Sequence, residues 1–133
     1  MRQARACAAL LVLLATACGS SGRQYAITLE VQDGWIRSPG AECAGSIPFL
    51  FVHRTGPFRV EDNAGEVVAS GELPDGIAVE AYNEDLEVPR VPTFCRFRIS
   101  AELPGPGVYR LVLEKGPPLE FSAESGPILV IIP

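Results

Sequence analysis

Histidine, methionine and tryptophan each occur once in this chain of 133 residues, as His53, Met1 and Trp35. Their scarcity narrows the chemistry. Zinc and copper sites draw on clusters of His, Met or free Cys, and this chain has no methionine beyond Met1. Strings that carry a catalytic histidine or nucleophile, such as H-E-x-x-H and G-x-S-x-G, do not occur. The expectation is therefore no catalytic residue, no metal ligand set, no cofactor and no enzyme.

Basic charge is also short, with 11 Lys and Arg against 16 Asp and Glu. Nucleic acids select basic patches, so a nucleic-acid partner is not expected. Docking on anionic lipid head groups through protein charge is disfavoured for the same reason. Long apolar runs are missing too. Ala6–Ala17 spans 12 residues, whereas a membrane-spanning helix needs about 20. Beyond residue 18 no segment keeps a helical period of 3.6.

The chain does hold a short basic start, Arg2 and Arg5, ahead of that apolar run. Small residues and Cys18 then close it. This is the layout of a signal peptide over residues 1–17. Ala15-Thr16-Ala17-Cys18, with Leu13 and Leu14 before it, reads as a lipobox. A thiolate is nucleophilic enough to take a diacylglycerol, and small side chains let a peptidase reach the bond before Cys18. Ala15 stands where such boxes favour leucine. Lipid on Cys18, with acyl chains such as palmitate, would anchor the protein on the extracytoplasmic side of the cell membrane; two chains hold where one does not. An ordinary cleaved signal is the competing reading. Removing residues 1–17 takes Arg2 and Arg5 away and moves the formal charge from −5 to −7.

"GSSGRQ" follows, so residues 18–24 read as a lipidated cysteine and flexible tether, ahead of a domain over 25–133. Tyr25–Gln32 alternates, with Tyr25, Ile27, Leu29 and Val31 on one face. "DGWIRSPG" reads as a turn-rich connection, and Ser46–His53 as an apolar strand near the core. "PFRVED" and "EVVASGEL" flank "DNAG", a hairpin with Gly65 at positive φ. Ile77, Val79 and Ala81 share a face of the next strand. Asn83–Pro92 is an acidic surface loop. Cys95, Phe97 and Ile99 share one face, as do Tyr109, Leu111 and Leu113. "LEFSAE" and "PILVIIP" close the series, the latter as a buried strand.

Seven to nine short strands and no helix predict an all-β, antiparallel β-sandwich of immunoglobulin-like or transthyretin-like architecture. Trp35 precedes Cys43 rather than falling between Cys43 and Cys95, so true immunoglobulin topology is not expected. Cys7 leaves with the signal, which leaves Cys43 and Cys95 in the domain. Outside the cytoplasm two such thiols commonly form one disulfide, here closing a loop worth roughly 4 kcal/mol. A zinc pair is the rival, and it lacks ligands beyond His53.

"GPFRVEDNAGEVVASGELPDG", "PTFCRFRIS" and "GVYRLVLEKG" resemble segments of small, uncharacterised lipoproteins of actinobacterial type. The resemblance covers roughly residues 13–122 and includes the lipobox, the Gly-Ser tether and the two domain cysteines. It implies a lipid-anchored extracytoplasmic domain with a Cys43–Cys95 bridge and carries no activity with it. "NEDLEVPR" and the proline-ended tail lie outside the shared pattern.

The function expected is a binding or interaction domain at the cell envelope, for an unknown protein or envelope ligand. The alternatives are a purely structural envelope protein, and more remotely an enzyme or metal carrier. Candidate partner contacts are Trp35, Tyr82, Glu84, Asp85 and Glu87. The plain alternatives are partial core burial for Trp35 and a solvated loop for the three acids. "NEDLE" lacks the spacing of an EF-hand loop.

Overall fold

The computed structural model describes residues 21–82 and 87–133. The expected signal, Cys18 and the first residues of the expected tether lie outside the described residues, as do Glu84 and Asp85 of the candidate contacts. Among the described residues there are nine strands and no helix: β1 (Arg23–Arg37), β2 (Glu42–Cys43), β3 (Pro57–Glu61), β4 (Val67–Glu72), β5 (Gly76–Glu80), β6 (Val91–Leu103), β7 (Gly107–Leu113), β8 (Leu119–Ala123) and β9 (Ile128–Ile131). They form a five-stranded sheet, β2-β5-β6-β1-β9, and a four-stranded sheet, β4-β3-β7-β8. One core cluster draws on both sheets, a β-sandwich-like arrangement.

The β1–β6 ladder is the backbone of the first sheet. Tyr25, Ile27, Leu29 and Val31 pair with Ala101, Ile99, Phe97 and Cys95, and all eight side chains are buried. The two alternations are in phase, so one face of the pair is continuously apolar. A one-residue slip would turn the four of the slipped strand toward water, which fixes the register. From the second sheet Tyr109, Leu111, Leu113 and Phe121 face the same core, with the Tyr109 and Phe121 rings stacked at 5.9 Å. The "DNAG" hairpin forms as expected. Asp62 Oδ1 accepts the N–H groups of Ala64 and Glu66 at 2.8 and 2.9 Å, and Gly65 takes φ +81°, a conformation glycine adopts without steric cost.

Cys43 and Cys95 are joined by a disulfide with Cα atoms 5.6 Å apart. β5 lies between their strands in the sheet. Two flat strand spacings amount to about 9.6 Å, so short β2 curls over the inner face and the bridge crosses β5. Gly76 sits beneath it. A Cβ there would stand 2.5 Å from Cys95 Sγ and 2.6 Å from the Cys43 carbonyl oxygen. Ile77 and Val79 share a face of β5, and it is the outer one. Gly76 and Ala78 point inward, while Ile77 is exposed and Val79 half-buried, because the bridge fills the space a large side chain would need.

Four expectations are corrected. β1 begins at Arg23 and runs on to Arg37, so Arg23 and Gln24 are strand rather than tether, and "DGWIR" is a register shift between Gln32 and Ile36 rather than a connection. Ser46–His53 is not a strand. Pro48 has no N–H for a ladder, and the segment satisfies itself locally: Val52 N–H donates to Phe49 O at 2.9 Å, Gly45 N–H to Val52 O at 2.7 Å, and Phe49 N–H to Ser46 O. Its side chains split accordingly. Val52 is buried, Phe49 and Phe51 pack on the core, and Ile47 and Leu50 are exposed. The sheet is not wholly antiparallel, since β9 runs parallel to β1. After the β8 edge of one sheet the chain crosses to the β1 edge of the other. Lastly, β9 is half-buried: Ile128, Val130 and Ile132 face in, Leu129 and Ile131 face out. Edge strands flanked by proline, here Pro127 and Pro133, resist further pairing.

Candidate functional site

The β1–β6 register gives the sandwich two distinct ends. Arg23 pairs with Leu103 at the near end, where the chain arrives, and Arg37 pairs with Val91 at the far end. Near-end connections are the tight turns 62–66, 104–106 and 124–127; the far end carries the longer segments 38–56 and 81–90.

Far-end geometry starts at the irregularity in β1. Gly34 takes φ +72°, and a Cβ there would lie 2.7 Å from the Ser46 side chain. The glycine lets the 44–53 segment come close. Ser46 then closes on β1, donating its N–H and its Oγ–H to Gln32 O at 3.0 and 3.1 Å. On the residue before Gly34, Asp33 turns inward and is buried. Its Oδ2 accepts from Thr93 Oγ at 2.8 Å and from Arg37 Nε at 2.7 Å. Asp33 Oδ1 has no hydrogen-bond partner among the described residues. Buried carboxylates are costly unless bonded in this way. The Asp33–Thr93–Arg37 set therefore pins the irregular end of β1 to the start of β6.

That anchoring leaves Trp35 and Ile36 projecting outward. Trp35 is 68% exposed and Tyr82 62% exposed, so partial core burial of Trp35 is overturned. Both line one cleft of about 300 Å³, together with Gly34, Ile36, Thr93 and Phe94. A second hollow of about 270 Å³ lies on the other flank of Trp35 and Ile36, bounded by Arg37, Ser38 and Arg90. Trp35–Ile36 is thus a ridge between two depressions. Ile47, Leu50 and Val88 are exposed on neighbouring far-end segments, and Ser38 Oγ–H donates to Pro89 O at 3.1 Å, tying the 87–90 segment to the same end. Of these apolar side chains, Trp35, Ile36 and Tyr82 line one hollow together.

Of the sequence-derived contacts, the structure brings Trp35 and Tyr82 into one cleft. Glu87 lies beside Val88, at φ +49°. Ile36, Ile47 and Leu50 were not singled out by the sequence, because a run such as Ser46–His53 reads as core. Asp33 had a signal. It falls on the inward parity of 25, 27, 29 and 31, where a carboxylate marks a special site. His53 is half-buried, and its Nδ1–H donates to Arg54 O at 2.6 Å. Among the described residues no group of three His, Cys, Asp or Glu side chains stands together to hold a metal, and no helix is long and apolar enough to cross a membrane. The arrangement offers apolar and aromatic surface for binding. The chain matches no protein-family model, no curated protein and no solved structure.

Proposed function

We propose that this chain is an extracytoplasmic lipoprotein, anchored through lipid on Cys18, whose β-sandwich binds a partner at the end far from the anchor. The observation that carries the reading is the polarity of the fold. The tether leads into the near end of β1, and the exposed Trp35, Ile36, Ile47, Leu50, Tyr82 and Val88 gather at the other. From Arg23 to Trp35 an extended strand rises by up to about 40 Å. A domain held by Cys18 would present its aromatic ridge away from the lipid surface, where an envelope protein or ligand can reach it. The fold's finer relationship is read as immunoglobulin-like or transthyretin-like architecture without true immunoglobulin topology. The sequence likeness to small actinobacterial-type lipoproteins supports the same address. The role is binding, with no catalysis assigned.

Mass spectrometry of the protein from its native membrane tests the anchor. The expected product starts at Cys18 and carries a diacylglycerol, and Cys18→Ser should move the protein out of the membrane fraction. A mature chain starting at another residue and free of lipid would overturn the reading.

A further inference from the structure

We propose that a second site, distinct from the Trp35–Tyr82 cleft, binds a medium-chain fatty carboxylate in the groove capped by the 46–53 segment. The groove is about 380 Å³ and is walled by Phe49, Phe51, Leu113, Leu119 and Ile132, with Lys115 on its rim. This volume is near the lower end of small-ligand sites, which run from about 300 to 1,000 Å³.

The fold explains the groove. β9 stops pairing with β1 at the Glu30–Ile131 position, after which Ile132 N–H donates to Glu30 O at 2.9 Å. Ser46 takes over that edge of β1 at Gln32. A gap therefore opens between the end of β9, the 46–53 segment and the β7–β8 turn. Phe49 and Phe51 turn toward the gap while Ile47 and Leu50 turn away from it, the reverse of a continuous apolar strand. Gly116 takes φ +89°, and a Cβ there would meet the Phe51 ring at 3.5 Å. The turn thus lies directly against the aromatic wall.

The lining specifies the ligand. Among the described residues Lys115 is the one charged side chain that lines the groove, and no polar side chain joins it. A ligand body buried there finds no hydrogen-bonding side chain, so a plain hydrocarbon suits it and a sugar or peptide does not. Lys115 is exposed and has no ion-pair partner among the described residues. The adjacent Glu114 lines a different hollow, beside Arg59 and Pro57. An unpaired ammonium at the mouth of an apolar groove, on a chain of net charge −5, complements an anionic head on an apolar tail. Lysine offers a point charge on a flexible stem, suited to a terminal carboxylate that arrives at a variable depth.

Decanoate titrated calorimetrically into the full chain, below its micelle concentration, tests the proposal. Saturable binding at one site is expected, with 1-decanol weaker and acetate inert. Lys115→Glu should weaken decanoate about tenfold, since reversal removes one attraction and adds one repulsion, and should leave decanol unchanged. Lys115→Gln should fall between and gives the same readout if the reversal does not fold. The Trp35→Ala and Tyr82→Ala variants should bind decanoate normally, which separates this site from the partner surface. Absence of saturable binding, equal binding of decanoate and decanol, indifference to the Lys115 series, or binding only to anionic phospholipid vesicles would each overturn it.

Discussion

The two ends of this sandwich are held by different physics. At the near end, short turns follow directly from ladder strands. Asp62 closes the 62–66 turn with its own side chain, and Tyr109 Oη–H reaches back to Gly105 O at 2.7 Å across the 104–106 turn. In the 62–66 turn the backbone groups find partners within a few residues. At the far end the chain spends 38–56 and 81–90 outside regular ladders, except for two residues of β2. It is held by a covalent bridge, a buried carboxylate and scattered backbone bonds. Regular structure closes one end; particular side chains close the other and leave apolar surface uncovered. Long connections on a rigid scaffold are where binding surfaces arise.

The sharpest way to break this contrast is to remove the bridge. Cys43–Cys95 spans 52 residues of sequence, and a loop of that size is worth about 4 kcal/mol in the chain-entropy account. Cys95→Ser should lower unfolding free energy by about 2–5 kcal/mol in denaturant melts. The loss should also be uneven. β2 is the ladder segment inside 38–56, and its pairing with β5 covers only Glu42–Ile77 and Cys43–Gly76. Hydrogen exchange should accelerate first in 38–56, while the 62–66 turn keeps its protection. Uniform acceleration at both ends would mean that the bridge supports the whole sandwich rather than its far end.

The same contrast divides what could be read from the sequence. Near-end features were legible because their signals are local. "DNAG" specifies its turn by residue type, and the alternations of Tyr25–Val31, Cys95–Ile99 and Tyr109–Leu113 specify faces by period alone. Cys43 and Cys95 were legible as a pair by composition. Far-end features depend on contacts between distant segments. Nothing within "SIPFLFVH" says that Ile47 faces water and Phe49 does not; that follows from where β9 ends and where Gln32 offers a carbonyl. Period alone puts Ile77 and Val79 on one face of β5, whereas the bridge above Gly76 decides which face meets the core. Of the site, Trp35 and Tyr82 could be chosen by residue type, while their sharing of one cleft required the β1–β6 register and the 81–90 return.

The buried carboxylate offers a smaller and more local perturbation. Asp33→Ala takes the acceptor from Thr93 Oγ–H, itself buried, and leaves the Arg37 guanidinium, about one-third exposed, without its partner. An orphaned buried donor costs about 1–3 kcal/mol, and water at Arg37 should hold the total within that range. Asp33→Asn keeps an oxygen for Thr93 and should lose less. Both should change Trp35 emission, because Trp35 lies two residues on in the same irregular stretch. An Asp33→Ala protein with wild-type stability and unchanged emission would show that the ridge is set by Gly34 and Ser46 alone.

The smallest expected change in stability falls on the residues assigned to function. Trp35 and Tyr82 are both mostly exposed, and exposed side chains away from special backbone features usually contribute within about 0.5 kcal/mol. Trp35→Ala and Tyr82→Ala should therefore melt within that margin of wild type, separately and together, in contrast to Cys95→Ser and Asp33→Ala. Trp35 is the sole tryptophan, so its accessibility can be checked directly. Its fluorescence should be quenched by acrylamide nearly as efficiently as free indole, and a bound partner should shield it. A double variant losing 2 kcal/mol or more, with quenching weak in the unliganded protein, would place these rings in the fold's support and leave the far end without its aromatic ridge. A double variant of unchanged stability would instead separate the two roles at this end: Asp33 and the bridge hold it, and the ridge they expose is free to meet a partner.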